Sequence, residues 1–426
     1  MKKVMLKTTL SVAVALASTQ LFASGFALNE QSISGMGVGF AGRSSSAEDA
    51  STVYGNPAGM SRIKQEQFSI GAAAIIAKTD LSGSSTTTRG SNDGDMVPKV
   101  AVPMGYYVKP LDEHWAVGFG IYAPFGLKTE YENGFQGRFF AHDSKVQVVT
   151  FQPTVSYAFN DKVSVGFGPT INRIDGTLSS ALPNPVSPLL GEGKATIKGD
   201  DTALGYNIGI LIQATDKTRI GLTYHSMVDY KLKGSTKVDL NLGPSTGALL
   251  GSRDYDASLN IKTPETVDAS FTHELTDQWT IYAGSTWTRW SRLKSIDVEN
   301  TGNFGLIGAG SFRTISEQQN WHDTWSHAIG ASYKVNKEWT LRSGFSVDQS
   351  PTNNTDRSPR IPTGDRWAVS FGAGWTPTDN MTIDVAYSYL KEETIDVNEA
   401  SLTKGTYQGK YRNAAHGLGT SLTYRF

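Results

Sequence analysis

MTIDVAYSY, residues 381 to 389, alternates along its whole length. Met381, Ile383, Val385, Tyr387 and Tyr389 share one face, and Thr382, Asp384, Ala386 and Ser388 share the other. Successive side chains of a strand point to opposite faces, so this stretch reads as a strand with one apolar side and one polar or small side. The same period recurs at Trp339, Leu341, Phe345 and Val347, and at Trp367, Val369, Phe371 and Trp375. It recurs again at Tyr206, Ile208, Ile210 and Ile212, and at Phe151, Val155, Tyr157 and Phe159. A soluble sandwich and a lipid-embedded barrel both alternate in this way, so the joints between strands must separate them.

Six joints are short and polar: Asp112-Glu113-His114, Asn160-Asp161-Lys162, Thr215-Asp216-Lys217, Thr276-Asp277-Gln278, Asn336-Lys337-Glu338 and Thr378-Asp379-Asn380. Much longer connections lie between them. Outer-membrane barrels have this asymmetry, with short periplasmic turns and long external loops. Six such turns, with both chain ends on the periplasmic side, give 14 strands. Trp115, Trp279, Trp339, Tyr157 and Phe159 lie beside the turns, where a girdle of amphipathic rings meets the headgroups. The chain ends Tyr424-Arg425-Phe426, with Leu418, Leu422, Tyr424 and Phe426 on one face of a last strand, as the barrel assembly machinery requires. The fold class read from the sequence is all-β: a 14-stranded antiparallel transmembrane β-barrel over residues 66–426.

Composition narrows the functions. Among 426 residues, 39 Lys and Arg face 40 Asp and Glu, so a basic face for nucleic acid is lacking. There is no cysteine, which excludes disulfides, thiolate metal sites and a cysteine nucleophile. The seven histidines are dispersed without ligand spacing, and no metal or cofactor is expected. A mean hydropathy of −0.29 excludes a helical membrane bundle. A lipid-acting enzyme would need a serine with a histidine. Trp321-His322-Asp323 and Ser326-His327 supply the residue types, but no nucleophile motif surrounds them and neighbours on a strand point opposite ways.

The N-terminus reads as a secretory signal over residues 1–23. Lys2, Lys3 and Lys7 precede an apolar run from Leu10 to Ala17, and Ala23 stands at the cleavage distance, with Ala17 as a competing site. Residues 24–65 are rich in Gly, Ser and Ala and do not alternate. They read either as a periplasmic tail or as a plug, or hatch, for which a barrel of this size has room. Ala47 to Ala50 suggests one helical turn, and Asn56-Pro57-Ala58-Gly59 a tight turn.

Several ordered stretches resemble the long-chain fatty acid transporter (FadL) family. They are Gly25 to Glu30 (GFALNE), Asn56-Pro57-Ala58, Phe151 to Phe159 (FQPTVSYAF), Val347 to Pro351 (VDQSP) and Arg360 to Trp367 (RIPTGDRW). The family also includes porters of toluene-like aromatic hydrocarbons. The resemblance implies a barrel closed by an N-terminal hatch in the lumen. A ligand gathers in an apolar groove between external loops and passes to a deeper pocket touching the N-terminus. It leaves sideways into the membrane where the third strand kinks beside the Asn56-Pro57-Ala58 turn. The expected function is therefore passive uptake of long-chain fatty acids or other hydrophobic small molecules across the outer membrane. Aromatic hydrocarbon transport and general diffusion through a porin are the other readings.

Candidate residues follow. For the external groove they are Leu178, Leu182, Val186, Leu189 and Leu190 on one loop and Leu249 and Leu250 on another, unless the two loops simply pack on each other as a lid. Phe26 matches the family's N-terminal aromatic contact, and Arg173 and His322 are the candidates for a carboxylate partner in the deep pocket. Pro124, Phe125 and Gly126 mark the kink, because proline cannot donate to a ladder and glycine weakens it. The expected surroundings are outer-membrane lipid and lipopolysaccharide, and the expected state is a monomer.

Overall fold

A computed structural model describes residues 25–184, 191–241, 252–302 and 312–426. Nineteen strand segments form one antiparallel sheet. Five pairs of segments are collinear pieces of a single wall strand, so the wall has 14 strands. In chain order they are β1 (Gln67–Ser85), β2 (Val100–Pro110), β3 (Trp115–Glu130), β4 (Asp143–Ala158), β5 (Val163–Leu182) and β6 (Gly193–Thr215). Four interrupted strands or single strands follow: β7 (Thr218–His225 and Val228–Asp239), β8 (Ser252–Thr263 and Thr266–Glu274), β9 (Trp279–Thr288 and Ser295–Thr301) and β10 (Thr314–Gln318 and Thr324–Lys334). The last four are β11 (Trp339–Asp348), β12 (Arg366–Thr378), β13 (Met381–Glu392 and Ile395–Ser401) and β14 (Gly405–Arg425).

The sheet closes because β1 pairs with β2 on one side and with β14 on the other, from Gln67↔Arg425 to Ser85↔Tyr407. Closure removes the sheet edges, whose unpaired N–H and C=O groups could not stand in hydrocarbon. All six short joints are hairpin turns at one end of the wall. Their aromatic neighbours pack in pairs across strands: Trp115 with Tyr157 at 4.7 Å, Trp279 with Tyr333 at 4.7 Å and Trp339 with Trp375 at 5.9 Å. The lipid-facing band is legible on β6, where Leu204, Tyr206, Ile208 and Ile212 are exposed. Beyond it the outward residues turn charged, as at Asp200 and Lys198 on β6 and at Arg412 and Lys410 on β14.

Residues 33–62 lie inside the wall. Ser32 caps helix α1 (Ile33–Gly37) by accepting the Gly35 N–H at 3.1 Å. Helix α2 spans Thr52–Gly55. Asn56 then caps a tight 3-10 turn, Pro57–Arg62, its Oδ1 accepting the Ala58 N–H at 3.0 Å. The helical turn expected at Ala47 to Ala50 does not form: Ala47 adopts φ 49°, outside the helical region, and the helix starts later, at Thr52.

The wall accommodates this hatch through inward-facing glycines. A side chain at Gly166 on β5 would meet the backbone of Pro57 and Ala58, and one at Gly209 on β6 would meet Asn56. The same holds at Gly221 against Ser44, Gly284 against Ala41, Gly330 and Gly344 against Val38, and Gly372 against Gly37. The chain from Ile33 to Ala58 thus runs round the inner wall with main chain against main chain. Polar bonds fix it there. Asn56 Nδ2 donates to Ser44 O at 2.7 Å and Ile210 O at 3.0 Å, and the Ser44 hydroxyl donates to Asp268. Arg342 bridges Glu48 at 3.1 Å and Asp384 at 2.7 Å, while the Tyr282 hydroxyl donates to Glu48 at 2.7 Å.

Candidate functional site

Strand β3 carries the first element of the site. Tyr122 pairs with Thr150 and Phe125 with Val148, so Ala123 and Pro124 stand against the single residue Val149. This is a bulge, and it falls at Pro124, which has no N–H for a ladder. The strand does not end there, since pairing with β4 resumes and runs to Glu130↔Asp143. Pairing with β2 does stop, at Gly105↔Ile121, and from Val100 to Met104 β2 pairs with β1 alone. Beyond Ile121 the wall is therefore parted between β2 and β3.

The N-terminal residues take the place of the lost partner. Ala27 bridges Phe125, the Leu28 N–H donates to Pro124 O at 2.8 Å, and the Gly126 N–H donates to Phe26 O at 2.8 Å. Gln31 Nε2 donates to Ala123 O at 2.7 Å. The bulge's backbone groups are thus satisfied from inside, as buried polar groups must be. The Asn56-Pro57-Ala58 turn is not itself bonded to the bulge, although the hatch beside it reaches β3, where Tyr54 packs on Tyr122 at 5.0 Å. The turn sits against Gly166 on β5 and Gly209 on β6, and residues 26–31 occupy the kink instead.

Phe26 leads from the bulge to an apolar chamber. Leu127, Val146, Ile174, Leu232, Leu259, Ile261, Leu293, Ile296, Val298 and Ile361 line it, with Phe26 at one end. Below, Phe26 is caged by Phe125 at 5.7 Å, Trp290 at 4.9 Å and Trp321 at 6.0 Å between ring centroids. The two tryptophans come from the interruptions of β9 and β10. Trp290 lies in a 3-10 turn, and Trp321 follows Asn320 at φ 45°. Both are buried. The lining suits an apolar ligand.

A guanidinium stands at the chamber's mouth. Arg360 lines both the chamber and a wider, more polar groove of about 1360 Å³ beyond it. Its Nε donates to Glu317 at 2.9 Å, and Nη1 donates to Ser144 Oγ and Ser179 O, each at 3.1 Å. Glu399 and Lys404 join it in this groove, which lies beyond the lipid-facing band. Burial, then the charge of Glu317, pushes the Glu399 carboxyl up to about 7; burial, then Arg360, lowers the Lys404 ammonium.

The sequence-read residues divide. Leu178 lines both chamber and groove, Leu182 lines the groove, and Phe26, Pro124, Phe125 and Gly126 meet at the bulge. Val186, Leu189, Leu190, Leu249 and Leu250 lie outside the described residues. Arg173 departs from its expected place. It shares the outward face of β5 with exposed Phe167, and pairs with Asp200 at 2.9 Å and Asp175 at 3.5 Å; its neighbour Ile174 is the residue in the chamber. His322 is exposed, while adjacent Trp321 turns inward. Arg360 is the residue the sequence reading missed. Its signal was a lone cation between Pro359 and Pro362, in a segment that does not alternate. The serine and histidine neighbours do not assemble either: Ser326 faces the lumen, and His327 faces lipid, bonded to Ser285 at 2.8 Å.

Residues 14–426 match the family described as outer membrane protein transport protein (OMPP1/FadL/TodX). The chain belongs to this family. OMPP1/FadL/TodX proteins are outer-membrane transport channels for hydrophobic compounds and are not enzymes. The long-chain fatty acid transport proteins of Salmonella typhi and Escherichia coli K12 are each 28% identical, over 100% of this chain and 99% of theirs. A Pseudomonas aeruginosa FadL homologue of known crystal structure is 27% identical with a TM-score of 0.81, covering 94% of this chain and 100% of its own. The Ralstonia pickettii toluene transporter TbuX, at 20% identity and TM-score 0.67 over 95% and 99% of the two chains, shares the fold.

Proposed function

We propose that this OMPP1/FadL/TodX protein admits long-chain fatty acids passively through the outer membrane and releases them sideways between β2 and β3. One observation carries the reading: the chamber ends at Phe26, and residues 26–28 are the ones hydrogen-bonded to the bulge where the wall parts. The external groove, with Leu178 and Leu182, collects the acyl chain. Arg360 takes the carboxylate at the chamber mouth, by the charge-assisted pairing that guanidinium geometry favours. Each methylene drawn from water contributes about 0.8 kcal/mol, so the tail supplies affinity without catalytic chemistry. A tail entering the chamber presses on Phe26, and displacement of residues 26–31 uncovers the parted wall. Asn56, Pro57 and Ala58 anchor the hatch body while this happens.

Arg360 favours a fatty acid over a toluene-like hydrocarbon, which has no group to meet a guanidinium. The names of the 28%-identical relatives support the same substrate. Uptake of radiolabelled oleate and toluene by cells lacking their own such transporter, with and without this protein, tests it. Oleate is expected to enter and toluene not. Entry of toluene alone overturns the substrate and leaves the lateral route standing.

A further inference from the structure

The outer surface of β7 to β11 carries a second concavity, unrelated to the lumen. It faces lipid as an open apolar groove between Ile220, Phe271, Ile329, Phe345 and Val347. Its floor is small: Ala269 on β8, and Ala283 and Ser285 on β9. At its upper rim Ser285 Oγ and His327 Nδ1 share a hydrogen bond of 2.8 Å, a polar pair on an otherwise apolar lipid face.

The register orders what lies above. Ser285 pairs with His327, and the next outward pair up is Trp287↔Trp325. Tyr224↔Val267 continues that row onto β7 and β8. These rings mark the external interface, as Trp and Tyr do at membrane boundaries. One step higher, Arg289 and Arg292 share the single buried carboxylate of Glu265. Arg289 Nη1 meets it at 3.2 Å, and Arg292 holds both its oxygens, one of them at 2.5 Å. Asp323 nearby is engaged by the Ser291 N–H at 3.0 Å. The carboxylate of Asp323 also acts on Arg292, so the cluster is balanced in charge; Arg289 is exposed and gives its Nη1 to Glu265.

Apolar groove, polar pair, flat rings and cations therefore stack in that order up one flank, with Arg289 four positions, about 13 Å, beyond Ser285. That is the order of parts in a phosphorylated, acylated glycolipid seen from its tails: acyl chains, their ester or amide groups, sugar, phosphate. We infer that this flank is a binding site for a lipid A-type glycolipid of the external leaflet. Its acyl chains fill the groove over Ala269 and Ala283. Ser285 and His327 meet the acyl linkages, Trp287 and Trp325 pack on the sugar, and Arg289 with Arg292 holds a phosphate in the paired geometry guanidinium provides.

Native mass spectrometry of the detergent-solubilised full barrel, titrated with bis-phosphorylated lipid A, its dephosphorylated form and phosphatidylglycerol, tests this. Lipid A is expected to bind about tenfold more tightly than either of the other two, the ratio that one charge-assisted contact supplies. Arg289→Ala leaves Arg292 on Glu265 and should weaken lipid A binding about fivefold. Ala283→Trp fills the groove without touching a charge and should weaken it about tenfold. Heat-modifiable gel migration verifies that both variants fold. Equal binding of dephosphorylated lipid A, equal binding of phosphatidylglycerol, or unchanged binding by both folded variants overturns the assignment.

Discussion

The hatch body and the N-terminal strap, residues 26–31, are consecutive in sequence and fastened in opposite ways. From Ile33 to Ala58 the chain is seated main chain to main chain against glycines of at least six wall strands and tied by a buried charge network. The strap is held chiefly by a bridge, a few hydrogen bonds and the packing of Phe26. Seating of the first kind has no neighbouring position to move to, because a shift drives backbone into backbone. Contacts of the second kind break one at a time. The difference locates motion in six residues and leaves the rest of the plug as a frame.

Four measurements break or sharpen this contrast. The largest effect is expected where a side chain is added under the hatch. Gly166→Val sets side-chain atoms into the space of Pro57 and Ala58, so the hatch should be displaced and planar bilayers should report a continuous ionic conductance absent from the parent. A closed Gly166→Val barrel would mean that the seating is loose. Next, Arg342→Ala leaves Asp384 and Glu48 without their shared cation inside the barrel, and the unfolding free energy in detergent should fall by about 3–5 kcal/mol. A smaller loss is expected in the strap. Gln31→Ala removes bonds to Ala123 O and Leu28 O, about 1–3 kcal/mol of local holding. Global stability should barely change, while hydrogen exchange at the Leu28 and Gly126 amides quickens about tenfold or more.

The smallest effect concerns pH in the external groove. Glu399 has its carboxyl raised to about 7, so it carries a proton below that pH and a charge above it. Its protonated form is the one the folded groove favours, a preference lost as pH rises through about 7. Oleate capture should therefore be about two- to threefold tighter at pH 6 than at pH 8, where ionised Glu399 repels the ligand carboxylate near Arg360. Glu399→Gln should flatten the profile. A profile unchanged by that substitution would place the carboxylate elsewhere.

Much of the wall was legible because lipid and hatch impose a strict period of two, and a turn must interrupt it. The six joints and MTIDVAYSY needed no tertiary information. The bulge was legible for the same reason: Pro124 and Gly126 violate the strand's chemistry in plain view. Arg173 illustrates the opposite case. Phe167 and Ile171 already marked its face as outward, and only that parity separates it from Ile174. Arg360, Trp290 and Trp321 lie where the period breaks, and there the backbone path decides which way a side chain points. The helical turn expected at Ala47 failed because Gly-, Ser- and Ala-rich chain follows the wall that holds it, with weak preferences of its own.

The seam between β1 and β14 joins the beginning of the wall to the end of the chain, through a ladder running from Gln67↔Arg425 to Ser85↔Tyr407. The hatch immediately precedes β1, yet it rests on strands from both halves of the wall. Its complete seat exists only once β12 and β14 have been made. Until then the segment is an unfinished fold waiting for its mould, and docking of the last strand closes the barrel and stoppers it together. A chain truncated before β14 is therefore expected to lose part of the plug's seat as well as its wall.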